Sequence, residues 1–290
     1  MFAASKSGSV DAKDAQFKNV TMLLHGDGTN GAQNNTFLDS STNNFTITRN
    51  GNTTQGTFTP YGSNWSTSFN GSSDFITTPQ TTSLNIGTGT FTVEAFVYLN
   101  SKYTSGGTSI INLGNGANGG GPYTGWGLII DYDAGGSTAY PAWYRYDGSV
   151  TQYTSSTSLN IGQWYHLAVA RDSSNNIAIW VNGTRVFSST STVTYNNVNS
   201  DPLNIGKRTN GSANSPNWMN GYISNGRVVI GSNVYDPTQT TITVPTTPLT
   251  AVTNTQLLVL QSNRFIDNSS AARTMTVAGG SPIVQRFSPF

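Results

Sequence analysis

The sequence predicts an all-β protein folded as a two-sheet antiparallel sandwich or jelly roll. Two observations carry this. From Met22 onward the chain runs in short apolar or alternating stretches separated by Gly, Asn, Ser and Pro, the pattern of many strands and tight turns. Helical periodicity is nearly absent, so sheets have only one another to bury their apolar faces against, and they must stack.

The clearest element is the strand Phe91–Leu99. Phe91, Val93, Ala95, Val97 and Leu99 share one face while Thr92, Glu94, Phe96 and Tyr98 share the other, and both faces are largely apolar, as in a central strand. Trp164–Arg171 alternates in the same way, with His166 beside Trp164 and Ala168 in the position of a hydrogen-bonded structural histidine. Residues 177–181 and 184–187 flank Asn182-Gly183, a pair suited to the positive φ angles of a type I′ hairpin. Further strands are expected at 126–132, 142–146, 203–207 and 222–230. The glycine-rich run 114–127 lacks the Gly-Lys-Ser or Gly-Lys-Thr ending of a phosphate loop and reads as a flexible rim loop.

Composition narrows the function classes. Charged residues are 9% of the 290, against roughly 25% in ordinary soluble domains. The net charge is +1, and the fourteen Lys and Arg are scattered along the chain with only Lys207 and Arg208 adjacent, so no basic stripe follows a phosphate backbone and nucleic acid is excluded as the expected partner. There is no Cys, which removes disulfides, thiol nucleophiles and Cys-based zinc sites. No apolar run approaches the ~18 residues of a membrane span, and residues 1–17 contain no apolar core of an export signal.

One internal repeat is visible. Phe37-Leu38-Asp39-Ser40-Ser41 through Thr46-Ile47-Thr48 aligns without gaps against Phe265-Ile266-Asp267-Asn268-Ser269 through Thr274-Met275-Thr276. Met22-Leu23-Leu24 precedes the first copy as Leu257-Leu258-Val259 precedes the second. Each copy is expected to form a strand, turn and strand unit, the two bracketing the sandwich. The chain is accordingly divided into an N-terminal arm at 1–18, a sandwich at 19–250 that includes the first copy, and a segment at 251–290 that completes or flanks it.

Several segments resemble a known family. Phe69-Asn70-Gly71-Ser72-Ser73-Asp74-Phe75-Ile76, Gly89-Thr90-Phe91 through Tyr98, Gly162-Gln163-Trp164 through Arg171, Ile179-Trp180-Val181-Asn182-Gly183 and Asn220-Gly221-Tyr222-Ile223 are similar, in order, to the laminin G-like, concanavalin A-like jelly roll. The repeats, with Asp267-Asn268-Ser269-Ser270 and the ending Phe287-Ser288-Pro289-Phe290, resemble versions of this module in virion proteins of marine and cyanobacterial phages. Where relatives often carry acidic residues after Gly-Tyr-Ile, this chain has Ser224 and Asn225.

A glycosidase needs two carboxyl groups across the scissile bond, and the chain has a single Glu, Glu94. The family's glycanases carry Glu-x-Asp-x-x-Glu where this chain reads Glu94-Ala95-Phe96-Val97-Tyr98-Leu99, so no catalytic residue is assigned. His25 and His166 are the only histidines, and no Gly-x-Ser-x-Gly motif supports a triad. The resemblance implies calcium as the one ion to consider, with Asp74, Asp131, Asp133 and Asp201 as candidate ligands against the plainer reading of turn aspartates; no cofactor is assigned. Glycan binding needs aromatic faces beside hydrogen-bonding groups, and Trp143, Tyr144 and Tyr146 are the candidates: Trp126 shares a face with Leu128 and Ile130 as core, whereas Trp143 with Arg145 lies opposite Ala142, Tyr144 and Tyr146 and is expected to face outward, one of these two faces being the candidate ligand surface.

The resemblance implies a non-enzymatic phage virion structural protein displayed on the particle surface, as capsid decoration or short fibre, adhering to host polysaccharide. Its expected partners are other virion proteins and further copies of itself. The alternatives are a lectin-like tail-fibre tip and, more remotely, a glycan-degrading enzyme.

Overall fold

The computed structural model describes residues 15–25, 37–48, 50, 64–102, 106–114, 124–133, 135, 138–147, 150–196, 201–208 and 218–290, without the side chains of 124, 146, 147 and 150. The chain divides into two compact units, Met1–Tyr61, which holds the first repeat copy, and Gly62–Phe290. Most of the expected arm, 1–14, lies outside the described residues; Phe17–Asn19 forms one turn of 3-10 helix.

The second unit is the sandwich. Its strands are β1 (Ser66–Asn70), β2 (Phe75–Thr78), β3 (Phe91–Leu99), β4 (Gly106–Gly114), β5 (Thr124–Tyr132), β6 (Ala139–Asp147), β7 (Val150–Thr154), β8 (Trp164–Arg171), β9 (Asn176–Val181), β10 (Thr184–Thr190), β11 (Leu203–Ile205), β12 (Asn220–Ile230), β13 (Thr255–Val259), β14 (Thr276–Ala278) and β15 (Ile283–Gln285). One sheet runs β10-β9-β8-β3-β12-β1-β15 with β13 also pairing β12; the other runs β14-β2-β11-β4-β5-β6-β7. Every named pairing is antiparallel. This is the expected two-sheet jelly roll.

The expected strands at 91–99 and 164–171 form with those bounds, and β3 is central and covered on both faces. Asn182 and Gly183 both take positive φ, 47° and 81°, closing the β9–β10 hairpin. A side chain at Gly183 would place its Cβ 2.6 Å from the Ile242 carbonyl, so the turn requires glycine for space as well. Strand β4 was not anticipated, because Gly106-Gly107-Thr108-Ser109 reads as turn and only three apolar residues follow before Gly114. Much of the rim run 114–127, residues 115–123, lies outside the described residues.

The core lies between the sheets. Phe91, Val93, Ala95, Val97 and Leu99 of β3 meet Trp126, Leu128 and Ile130 of β5, Ile111 and Leu113 of β4, and Trp143 of β6, all 0–1% exposed. Leu128 pairs with Trp143 across β5 and β6, so both point inward. Trp143 stacks on Phe91 at 4.8 Å and on Trp126 at 5.5 Å. The expectation that Trp143 faces outward is therefore corrected, while Trp126 is core as read. The misleading signal was Arg145 on the same face. It sits near the strand end, where its Nε reaches the Thr194 carbonyl at 3.1 Å.

The second repeat copy ties the two sheets together. β13 pairs with the C-terminal half of β12 in one sheet, and β14 pairs with β2 in the other. The turn between them is organised by Asp267, whose carboxylate accepts the amides of Leu258, Ser269 and Arg273 and the Ser269 hydroxyl at 2.9–3.0 Å. In the first unit Asp39 accepts the amides of Leu23, Ser41 and Phe45 and the Ser41 hydroxyl, each at 2.9 Å. The repeat seen in sequence is thus a repeat of hydrogen bonding. Burial opposes the Asp39 charge, but the three amides and the hydroxyl prevail and bring its pKa down to about 2.

Candidate functional site

The outer face of the β3-containing sheet carries the residues that matter for chemistry. Alternation places Glu94, Phe96 and Tyr98 of β3 and Trp164, His166 and Ala168 of β8 on that face. On β12 Ser224 lies opposite Phe96, and the next pair is Arg227 with Glu94, so β12 spends one residue more than its partner. This β-bulge holds Asn225 at φ 54° and shifts the pleat so that Arg227, not Gly226, comes out over Glu94. Asn225 also accepts the Leu249 amide at 2.7 Å, and Ser224 donates to the Trp65 carbonyl at 2.6 Å. Both residues where the sequence departs from its relatives therefore have structural partners.

Glu94 is fully buried and saturated. Its Oε1 accepts Arg227 Nε at 2.9 Å and Nη2 at 2.6 Å; its Oε2 meets His166 Nε2 at 2.9 Å and accepts the Tyr235 hydroxyl at 2.8 Å. Burial opposes its charge, but the His166 hydrogen bond and the charges of His166 and Arg227 outweigh burial and hold the carboxyl below its usual value. Burial and the adjacent Glu94 push the Tyr235 phenol up, so it stays a donor.

Two segments roof this face. Residues 233–250 cross it, anchored where Val234 N donates to Thr92 Oγ1 at 2.8 Å, Ile242 N to the Gly183 carbonyl at 2.8 Å, and Arg185 Nη1 to the Pro237 and Thr238 carbonyls. The segment after β15 lays Phe287 against Tyr98, Tyr222 and Trp164 at 4.8, 4.9 and 5.4 Å, and Phe290 against Phe96 at 5.0 Å.

Between the two roofs lies a pocket of about 320 Å³, floored by Phe96, Trp164 and His166 and walled by Asn182, by residues 244–246 and by Pro289 and Phe290. Trp164 Nε1 and His166 Nδ1 are buried and have no hydrogen-bond partner. Asn182 uses its Oδ1 to accept the His166 amide at 2.8 Å. The pocket therefore combines aromatic faces with polar groups whose hydrogen-bonding capacity is unspent.

The residues expected to bind lie elsewhere. Tyr144 is 3% exposed and packs with Ile129 and Ala142, and Trp143 is in the core. The Tyr146 side chain lies outside the described residues. Asp74 accepts the Asn70 and Ser281 amides, Asp131 accepts Gln152 Nε2, and Asp133 accepts the Thr138 amide. Burial raises the Asp201 carboxyl. Among the described residues no group of three or more His, Asp or Glu gathers that could hold a metal ion. His166 is hydrogen-bonded as read, but its place in the pocket depends on Val244 and Phe290, which no local pattern linked to it.

Comparison with known proteins bears on the fold. The model of the concanavalin A-like lectin/glucanases superfamily matches residues 69–230, more than half of the chain. A Bacteroides ovatus protein with a provisional carbohydrate-binding designation aligns at 16% identity and TM-score 0.52, over 85% of this chain and 66% of that one, just under two thirds of its length. The native heptameric SAP-like pentraxin of Limulus polyphemus aligns at 13% identity and TM-score 0.47, over 76% of this chain and 94% of its own. No curated protein matches. The family match and the sandwich agree, and the chain belongs to the concanavalin A-like lectin/glucanase superfamily.

Proposed function

We propose that the sandwich is a non-enzymatic carbohydrate-recognition module and that a sugar residue occupies the pocket over Trp164 and His166. The observation that carries this is the pair of buried, unpartnered nitrogens, Trp164 Nε1 and His166 Nδ1, beside the Phe96 and Phe290 rings. A buried polar group left unsatisfied costs about 1–3 kcal/mol, and a hydroxyl-rich ring with apolar C–H faces is the ligand that satisfies such groups while stacking on aromatics. The carbohydrate-binding designation of the Bacteroides ovatus protein is consistent with this reading. Catalysis is disfavoured because Glu94, the only Glu, already has three partners and is held ionised, so it cannot serve as the protonated acid of a carboxyl pair.

The module's setting is proposed to be the surface of a phage particle, alongside other virion proteins and further copies of itself. The phage-like repeats and the weakly charged, polar composition support that reading. A glycan array probed with the purified protein, with and without calcium, tests the module. Specific binding that weakens in Trp164→Phe supports it, and a clean negative in both conditions overturns it. Immunogold labelling of intact particles tests the setting, and label absent from them overturns it.

A further inference from the structure

The two repeat copies share one hydrogen-bonded turn but differ in what they cover. In the second copy Leu257 and Val259 are 0% and 1% exposed and belong to the sandwich core, and Phe265 and Met275 pack against it. These side chains close a cleft with one open strand edge in each sheet, β12 on one side and β2 on the other. The first copy carries Met22, Leu24, Phe37 and Ile47 at the matching positions. Its turn repeats the second copy's hydrogen bonds, down to Asn43 N on Ser41 Oγ and Ala271 N on Ser269 Oγ, both 3.2 Å, and to positive φ at Asn44 and Ala272. Yet Met22 is 55% and Leu24 44% exposed. Two large apolar side chains on an extended segment that makes one isolated bridge, Leu24 to Asp39, held by a turn that elsewhere presents such side chains to a core, form a docking surface rather than a finished one.

We propose that the first copy is a clip for a second sandwich of this family, one whose cleft between the edges equivalent to β12 and β2 is open. The segment containing Met22 and Leu24 adds as a strand to the β12-type edge, the segment containing Ile47 and Thr48 adds as a strand to the β2-type edge, and Met22, Leu24, Phe37 and Ile47 fill the cleft. The seat on this chain's own sandwich is held by the second copy, whose Leu257-Leu258-Val259-Leu260 is more apolar than Met22-Leu23-Leu24-His25. With that seat filled, Met22 and Leu24 stay exposed. Recognition combines main-chain pairing along both edges with burial of four apolar side chains, the chemistry of strand addition.

The chain has no cysteine, so one engineered pair gives an unambiguous readout. Thr276 lies opposite Thr77 in the β14–β2 register, and Thr48 is the counterpart of Thr276. The donor is the full chain with Thr48→Cys. The receptor is the full chain with Thr77→Cys, with Leu257→Asp and Val259→Asp to open its cleft, and with Met22→Asp and Leu24→Asp to disable its own clip. On oxidation the mixture is expected to give a disulfide-linked dimer of donor and receptor, reduced at least about tenfold when the donor also carries Met22→Asp and Leu24→Asp, since each buried charge costs more than 1.4 kcal/mol. If the opened receptor unfolds by itself, its β-sheet circular dichroism is expected to return on mixing with donor. A dimer yield no higher than that of the disabled donor overturns the proposal, and so does a receptor that stays unfolded and unlinked.

Discussion

Arg227 Nη2 lies 2.6 Å from Glu94 Oε1, and the pair exists because a one-residue bulge on β12 turns the arginine onto the same face as the only glutamate in the chain. The bulge is a local backbone feature, yet it decides whether two buried charges meet. Removing one partner of such a pair strands the other, and that asymmetry makes it measurable.

Glu94→Ala is expected to lower stability by about 3–5 kcal/mol, because it leaves the Arg227 guanidinium buried without its counter-charge. Glu94→Leu combined with Arg227→Met is expected to recover most of that loss, since neither charge is then buried. Denaturant titration of the three proteins checks both statements, and a double variant no more stable than Glu94→Ala would contradict them.

Acid lability follows from the same carboxyl. Its folded pKa is held below the ordinary value of about 4.3, so the unfolded state takes up the proton first as pH falls. The stabilisation is complete above that value and is lost as pH drops through the folded pKa. Asp39 behaves alike in the N-terminal unit, losing its contribution towards pH about 2. Denaturation midpoints measured down the acid range should fall less steeply in Glu94→Gln than in the native protein.

Trp143→Ala is expected to cost about 3–5 kcal/mol, the range for a fully buried large aromatic. Glycan affinity of the fraction that remains folded should be unchanged, because Trp143 lies between the sheets and the pocket lies on the outer face. Thermal melts combined with a binding titration separate the two effects.

Trp164→Phe keeps a ring on the pocket floor but deletes the Nε1 donor. Its stability should stay close to native, while glycan affinity falls by about two- to tenfold, the worth of one hydrogen bond of roughly 0.5–1.5 kcal/mol. Isothermal titration with a sugar selected from the array reads this directly, and an unchanged affinity would remove Trp164 Nε1 from the site.

Much of the fold was legible because a strand's period of two is written into neighbouring residues. The alternation in Phe91–Leu99 and Trp164–Arg171, the Asn182-Gly183 turn, and the paired Asp39 and Asp267 turns were each readable from a few adjacent positions, and each forms as read. Alternation separates the two faces of a strand, but it does not say which face meets the opposite sheet. That is why the shared face with Arg145 points Trp143 outward in the sequence, whereas pairing with Leu128 turns it in. The pocket was further out of reach. Its floor comes from β3 and β8, its walls from residues 244–246 and from Pro289 and Phe290, and its polar capacity from atoms that are unpartnered only after the roof segments have packed. By itself the sequence determined the strongly alternating strands, the Asn182-Gly183 turn and the repeated aspartate turn, which depend on local backbone geometry and short-range hydrogen bonds. The tertiary structure alone decided the bulge-set Glu94–Arg227 pair, the burial of Trp143 and the convergence of Trp164 and His166 with Phe290, because those depend on register and coverage between segments far apart in the chain.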